Sequence, residues 1–435
     1  VSADTGLLDP LASPAVALVD DDAVLSALIE AEEALTRAWA ELGQPAIIVD
    51  LGAATIDHAA IAAGNRAGGN PVIPLVTQLR AHAERLAPGA GDWVHHGATS
   101  QDILDTALML VADRAIQSVS SSLERIADAL AELADAHRHD LMVGRTLTQH
   151  AAPITFGVKA ANWLDRVLAC RAAIADLSLP VQLAGAVGTG SAFADLANDA
   201  GTGVALRAAF ARRLGLADPG RSWQAERSPI ALLASAVALT IGSLGGIAAD
   251  LLVLARPEIA EVSQPGGGSS AMPQKQNPTT AILIRSAALQ APGLLATVFG
   301  SLAGEDERPA GSWHAEWLAL RSLLRLGIEA AEATLAVTGS LVVDIARMRT
   351  NLDLDGARSW AEHAQSQLTP ALGREAASVI VARALAAASP EKPFATVLLA
   401  ELGGQVVDLS DESVWASADI VIDSALARHS TGGPQ

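Results

Sequence analysis

The 435-residue chain has no tyrosine and a single cysteine, and its aromatic side chains amount to eight tryptophans and five phenylalanines. One cysteine, Cys170, excludes an intramolecular disulfide framework and any cysteine-based zinc site. It reads as a small buried hydrophobe. Bases are also scarce, 29 against 48 acids, for a formal net charge of −19. That balance argues against a nucleic acid or an anionic membrane as partner, since both demand basic surface. An anionic small molecule needs only a local cluster of cations. The first residues, VSADTGLLDPLAS, lack a basic segment followed by an apolar one, so no secretory signal is expected and the cytoplasm is the expected location. Alternating β-branched runs are few. What is abundant is Ala and Leu in a chain that is half hydrophobic, which predicts an all-α protein with a large core and more than one domain.

Residues 22–42 read as an amphipathic helix, with Leu25, Leu28, Leu35 and Trp39 on one face, acids between them and an Asp cap. The stretch to Gly91 is broken by AGGNP, Pro74 and Pro88, predicting short helices and turns. From Met109 a seam of Ala112, Ile116, Val119, Leu123, Ile126, Leu130 and Leu133 follows coiled-coil spacing. A second long helix is predicted over residues 153–177. A third is predicted from Ser228 and Pro229, where Ser caps and Pro takes the first helical position, and a fourth after Pro278. Residues 230–249 carry no charge and are long enough to span a membrane. Their Ala, Gly, Ser and Thr content and the lack of an aromatic belt or flanking cations favour a helix buried in a bundle shared between subunits. The domains expected are 1–104, a central long-helix bundle over 105–350, and a small helical domain over 351–435.

Four polar clusters interrupt this pattern. Residues 266–278, GGGSSAMPQKQNP, open on three glycines, free to take positive φ and approach a ligand, and carry Ser269, Ser270, Lys275 and Asn277. Pro273 and Pro278 stiffen the backbone, and the predicted helix start just beyond favours an anion. Residues 95–102, HHGATSQD, offer His95, His96, Thr99 and Ser100 to a carboxylate, or cap the next helix. Residues 144–150, GRTLTQH, place Arg145 to pair with a substrate carboxylate or with a core acid. Residues 305–317, EDERPAGSWHAEW, combine Arg308 and His314 with two tryptophans, as a binding segment or a packed turn.

The serine loop resembles the GSSxMPxKxNP signature of the fumarase/aspartase superfamily, and the other clusters fall where that family places its remaining site segments. The resemblance implies a three-domain helical fold, a homotetramer around a central bundle, and active sites built from three subunits. It implies that Ser269 exchanges a proton, with His150 as the other candidate, while Lys275 and Asn277 stabilise the aci-carboxylate that forms when a proton moves on the carbon next to a carboxylate. His95, His96, Thr99, Ser100, Arg145, Thr148, Gln149, Ser270, Met272, Asn277, Arg308 and His314 are the implied substrate contacts. Fumarases and C–N lyases of the family usually read GRTHxQ or THxQ in the third cluster, where this chain has Leu147. Their imidazole assists a leaving hydroxide or amine; a carboxylate, with a pKa of roughly 4, needs no such acid. Leu147 therefore points to a lactonising member, a cycloisomerase acting on a small tricarboxylate without metal or other cofactor. A C–N lyase of the same superfamily and a catalytically silent structural relative are the alternatives. Gln274 and Gln276 stand where relatives often carry bases, which leaves His95, His96, Arg145, Arg308 or His314 to offset the substrate charge.

Overall fold

The computed structural model describes residues 7–268, 270–354, 356–403 and 407–431, and forms fifteen α-helices and four short strands among them. In chain order these begin with α1 (Asp21–Glu41), α2 (His58–Gly68), α3 (Val72–Leu86) and α4 (Ser100–Ala136), then β1 (Leu141–Thr146) and β2 (Gln149–Thr155). There follow α5 (Phe156–Ala175), α6 (Ser191–Ala197), α7 (Thr202–Leu214), α8 (Ser228–Leu254), β3 (Val262–Ser263), α9 (Thr279–Gly300) and α10 (Ser312–Thr338). The chain ends with β4 (Val342–Val343), α11 (Ile345–Asp353), α12 (Ala361–Leu372), α13 (Arg374–Ala387), α14 (Phe394–Glu401) and α15 (Glu412–Ser430). Two compact units emerge. The first comprises Val1–Ser121, Ala173–Gly242 and Ala287–Ala330; the second comprises Ser122–Ala172, Ser243–Ser286 and Ala331–Gln435.

In the first unit, α1 starts where Asp20 Oδ1 accepts the Ala23 amide at 2.8 Å, the capping the sequence predicts. Leu28, Leu35 and Trp39 are buried, and α1 packs against α7. So is Glu32, one of the acids between those apolar positions, with no exposed surface. The first half of the α4 seam, Met109 to Val119, is buried as predicted. Gly327 of α10 allows three helices to approach: a Cβ there would lie 3.0 Å from Val237 Cγ1 of α8 and 3.8 Å from Val119 Cγ2 of α4. Beneath this layer Arg227, Asp105, Glu316 and Trp313 form a buried polar knot.

The second unit holds the part the sequence did not predict. Residues 141–155 form an antiparallel hairpin with a register shift between Val143 and Arg145, and α5 begins at Phe156 instead of Pro153. The hairpin turns at Leu147 and Thr148, whose φ values are 48° and 73°. Such turns normally announce themselves with Asn or Gly, and neither is present. Its inner face is structural, since Leu141 and Val143 share one core with Leu352, Trp360, Leu368, Phe394 and Leu398 of the C-terminal helices. Cys170 is buried.

Helices α8 and α9 are long and apolar enough to cross a membrane, with mean hydropathy of 2.0 and 1.5 in their most apolar windows. The chain buries 61% of that window in α8, as a core helix requires, but 22% in α9. Ile282, Leu289 and Phe299 of α9 and Leu232 and Leu239 of α8 are left exposed.

Candidate active site

The predicted site residues fall into both units. In the first, α1 supports the 93–96 segment with one stripe of side chains spaced four and three residues apart. Glu32 Oε1 takes His95 Nδ1 at 2.7 Å, Thr36 Oγ1 donates to the Trp93 carbonyl at 3.0 Å, and Trp39 Nε1 donates to the His96 carbonyl at 3.0 Å. His95 has φ 61°, a left-handed conformation that costs a β-carbon residue about 1–2 kcal/mol. His96 lies against Trp39 and Trp93, at ring-centroid distances of 5.4 and 4.6 Å, and its Nδ1–H donates to the Asp92 carbonyl at 3.0 Å.

Asp102, in the first turn of α4, organises the next layer. Its carboxylate accepts the amides of Ala184 and Gly185 at 2.9 Å each and of Thr99 at 3.1 Å. Burial raises its pKa to about 6, against the opposing pull of those amides. Arg308 closes the layer by donating to Thr99 Oγ1 at 2.8 Å, Gln101 Oε1 at 3.1 Å and the Ala186 carbonyl at 3.3 Å. Every one of these acceptors is neutral, and no acid pairs with Arg308 among the described residues, so its charge remains available to an anion. Ser100 opens α4 half-buried. His314 is exposed on α10, its ring flanked by Trp313 and Trp317 at 5.2 and 4.7 Å.

In the second unit the hairpin carries Arg145, Leu147, Thr148, Gln149 and His150. Leu147 is 96% exposed at the tip, and Gln149 Nε2 donates to Thr148 Oγ1 at 3.2 Å. Of the two readings open for Arg145, the core acid is the one observed. Its Nη1 and Nη2 donate to the two oxygens of the fully buried Glu261 at 2.9 and 2.6 Å, and Asn351 Nδ2 donates to the same carboxylate at 2.8 Å. Arg145 thus ties the hairpin to the strand that precedes the glycine loop.

That loop closes on itself, Gly267 and Asn277 exchanging amide and carbonyl at 3.0 Å in both directions. None of Gly266, Gly267 and Gly268 has positive φ among the described glycines, contrary to the expectation from sequence. The first two are needed for close approach instead: a Cβ on Gly266 would stand 3.0 Å from the Asn277 carbonyl, and one on Gly267 would collide with Thr279. Ser270, Met272 and Lys275 are exposed, Asn277 is half-buried, and α9 starts at Thr279. Ser269 lies outside the described residues.

Sequence reasoning did not single out Glu32, Glu261, Asp105 or Glu316, all buried acids. A signal for Glu32 existed: it stands four residues after Leu28 and three before Leu35, on the buried stripe.

A profile of a family described as Lyase matches residues 21–293. The chain is 45% identical over 397 residues to the nitrosuccinate lyase of Streptomyces davaonensis, covering 88% of this chain and 84% of that one. It is 37% identical over 425 residues to the 3-carboxy-cis,cis-muconate cycloisomerase of Bradyrhizobium diazoefficiens, covering 94% and 93%. Among solved structures it superposes on the 3-carboxy-cis,cis-muconate lactonizing enzyme of Pseudomonas putida with a TM-score of 0.88 at 32% identity, over 98% of this chain and 99% of the other. With the serine loop, the helical fold and near-complete coverage in agreement, the chain belongs to the fumarase/aspartase superfamily of lyases.

Proposed function

We propose that the protein catalyses addition and elimination of a weakly basic oxyanion at the carbon β to a substrate carboxylate, and that it closes 3-carboxy-cis,cis-muconate to 4-carboxymuconolactone. The observation that carries the reaction class is Leu147, fully presented at the hairpin tip where relatives that expel strong bases use an imidazole. A carboxylate of the same molecule attacks the conjugated double bond, so the enzyme's chief task is to fix the reactive rotamer. The electron pair moves into the neighbouring carboxylate as an aci-carboxylate, which Lys275 and Asn277 stabilise. Ser269 delivers the proton to carbon, with His150 the other candidate. Arg308, with its uncancelled charge, holds a further carboxylate beside Thr99. The near full-length likeness to lactonizing enzymes supports this substrate.

A second reading is favoured by the 45% identity to a nitrosuccinate lyase. Nitrite, like a carboxylate, is a weak base that departs unprotonated, so Leu147 suits its elimination from nitrosuccinate equally well. That substrate carries two carboxylates instead of three. It needs fewer cations, and Arg145 is neutralised by Glu261 while Gln274 and Gln276 add none. Two assays on the same preparation decide. Loss of the conjugated-diene absorbance with 3-carboxymuconate, at a kcat/KM at least a hundredfold above nitrite release from nitrosuccinate, is the expected result; the reverse ratio establishes the second reading. Turnover of neither, with turnover of adenylosuccinate or argininosuccinate, would return the protein to the C–N lyases.

The exposed apolar residues of α8 and α9 support a homotetramer, in which copies of the same helices cover one another and each active site draws segments from three chains. Light scattering on a size-exclusion column should give four times the chain mass.

A further inference from the structure

The pairing of Glu32 with His95 is not explained by packing. Glu32 has no exposed surface, and only one of its carboxylate oxygens has a partner: Oε1 meets His95 Nδ1 at 2.7 Å, while Oε2 is buried without a hydrogen bond among the described residues. A desolvated carboxylate with one empty oxygen is costly unless a cation sits beside it, and a purely structural site would be served as well by a neutral side chain. The same stripe of α1 grips the loop on both sides of His95, through Thr36 and Trp39. The ring is therefore held in one orientation, with Nδ1 turned to Glu32. Nε2 has no hydrogen-bond partner among the described residues, and the side chain keeps 14% of its surface exposed.

We propose that Glu32 is a positioning residue that holds His95 as an imidazolium, with its Nε2–H presented to a carboxylate of the substrate. The idea rests on the proposed function only in its last clause, the anionic ligand. Three charged groups face the ring. Glu32 from α1 and Asp102 from α4 favour the cation, and Arg80 from α3 opposes it. Burial by itself would depress the pKa of His95; the charge and hydrogen bond of Glu32 overturn that, and the net direction is upward. The sign follows: a raised histidine pKa means that the cation, and any binding or stability it confers, is complete below the ordinary value of roughly 6.5 and is lost as pH rises through the higher folded value. A donor that keeps its charge to higher pH than an ordinary histidine would supply part of the positive charge that Arg145 does not.

The test is a titration of the unliganded protein, with ring carbons labelled in histidine and the His95 resonance assigned by its loss in His95→Gln. In the wild type the midpoint is expected above the ordinary histidine value, and in Glu32→Gln it is expected to fall by about one pH unit or more, with Glu32→Asp keeping much of the elevation. A wild-type midpoint at or below roughly 6.5 overturns the proposal whether or not the variants fold, and so does an unmoved midpoint in folded Glu32→Gln. Kinetics provide the second arm, using whichever substrate is turned over. KM should stay flat up to the His95 midpoint and climb above it, and in Glu32→Gln that climb should begin at lower pH while kcat changes less than KM. A KM profile that Glu32→Gln leaves in place sinks the binding role. Failure to turn over either candidate substrate would count against the proposed function and leave the titration to be judged by itself.

Discussion

The layer around Asp102 and Arg308 in the first unit is knit by side-chain hydrogen bonds, whereas the glycine loop of the second is closed by its own backbone. Around Asp102 and Arg308 nearly every donor meets an acceptor: three amides converge on the Asp102 carboxylate, and Arg308 spans Thr99, Gln101 and Ala186. Below them Arg227 donates to Asp105 at 2.7 and 3.0 Å and also to Glu316, with Trp313 Nε1 on Asp105 at 2.9 Å. The glycine loop is the opposite, since its closing bonds at 3.0 Å are backbone to backbone and the Lys275 side chain faces solvent. The difference separates two tasks. On the proposed function, a preorganised group such as Arg308 holds an anion with little reorganisation, because its hydrogen bonds are already made on folding. Lys275, which the proposed function sets against developing charge, faces solvent instead.

If that division is right, disabling the buried knot should damage folding and disabling the loop should damage only chemistry. The largest effect is expected for Arg227→Leu. It leaves Asp105 and Glu316 facing each other without their cation, which at such sites costs about 3–5 kcal/mol. Urea unfolding at fixed protein concentration should show a loss of that order. A change below about 1 kcal/mol would mean that the knot is held by packing, and the contrast between the units would lose its energetic basis.

Next is Lys275→Ala, where the expected cost falls on the transition state: about 10²–10³ in kcat, or about 2.7–4 kcal/mol. Because the side chain is exposed, the unfolding free energy should stay within about 0.5 kcal/mol of the wild type. Equal losses of stability and rate would show that the loop is as load-sharing as the knot. An unchanged rate would remove Lys275 from the reaction.

The same contrast explains what could be read in advance. The loop 266–278 was legible because its glycines, prolines and polar residues fit no helix, and the long helices were legible because their apolar spacing repeats over many turns. The buried acids were not. Glu32 looks like the solvent face of an amphipathic helix until the stripe Leu28, Glu32, Leu35 is laid out, and Glu261 lies in a short segment with no periodicity at all. Arg145 was open to two readings because a guanidinium suits a substrate carboxylate and a core carboxylate alike. Only the position of Glu261 chooses between them. The hairpin was missed because a two-residue turn through Leu147 and Thr148 uses residues that avoid positive φ. Its cost is met by the core behind it, where Leu141 and Val143 pack among the C-terminal helices.

That strain at the hairpin tip gives the smallest and most pointed test. Leu147 sits at φ 48° and is 96% exposed, so neither backbone preference nor burial explains a leucine there. Asn tolerates the left-handed region, and Leu147→Asn should stabilise the protein by about 0.5–1 kcal/mol. Leu147→His should stabilise less, and it restores the imidazole that relatives expelling strong bases carry. If the departing group is a carboxylate or nitrite, the new acid has nothing to protonate that would speed departure. The kcat should then remain within about threefold of the wild type, since a general acid contributes about 10²–10⁴-fold only where the leaving group needs a proton. A gain of tenfold or more in Leu147→His would show that departure was limited by protonation all along. The leaving group would then be a stronger base than either proposed substrate provides, and the second unit's hairpin would have to be counted, with the glycine loop, among the chemical elements of the site.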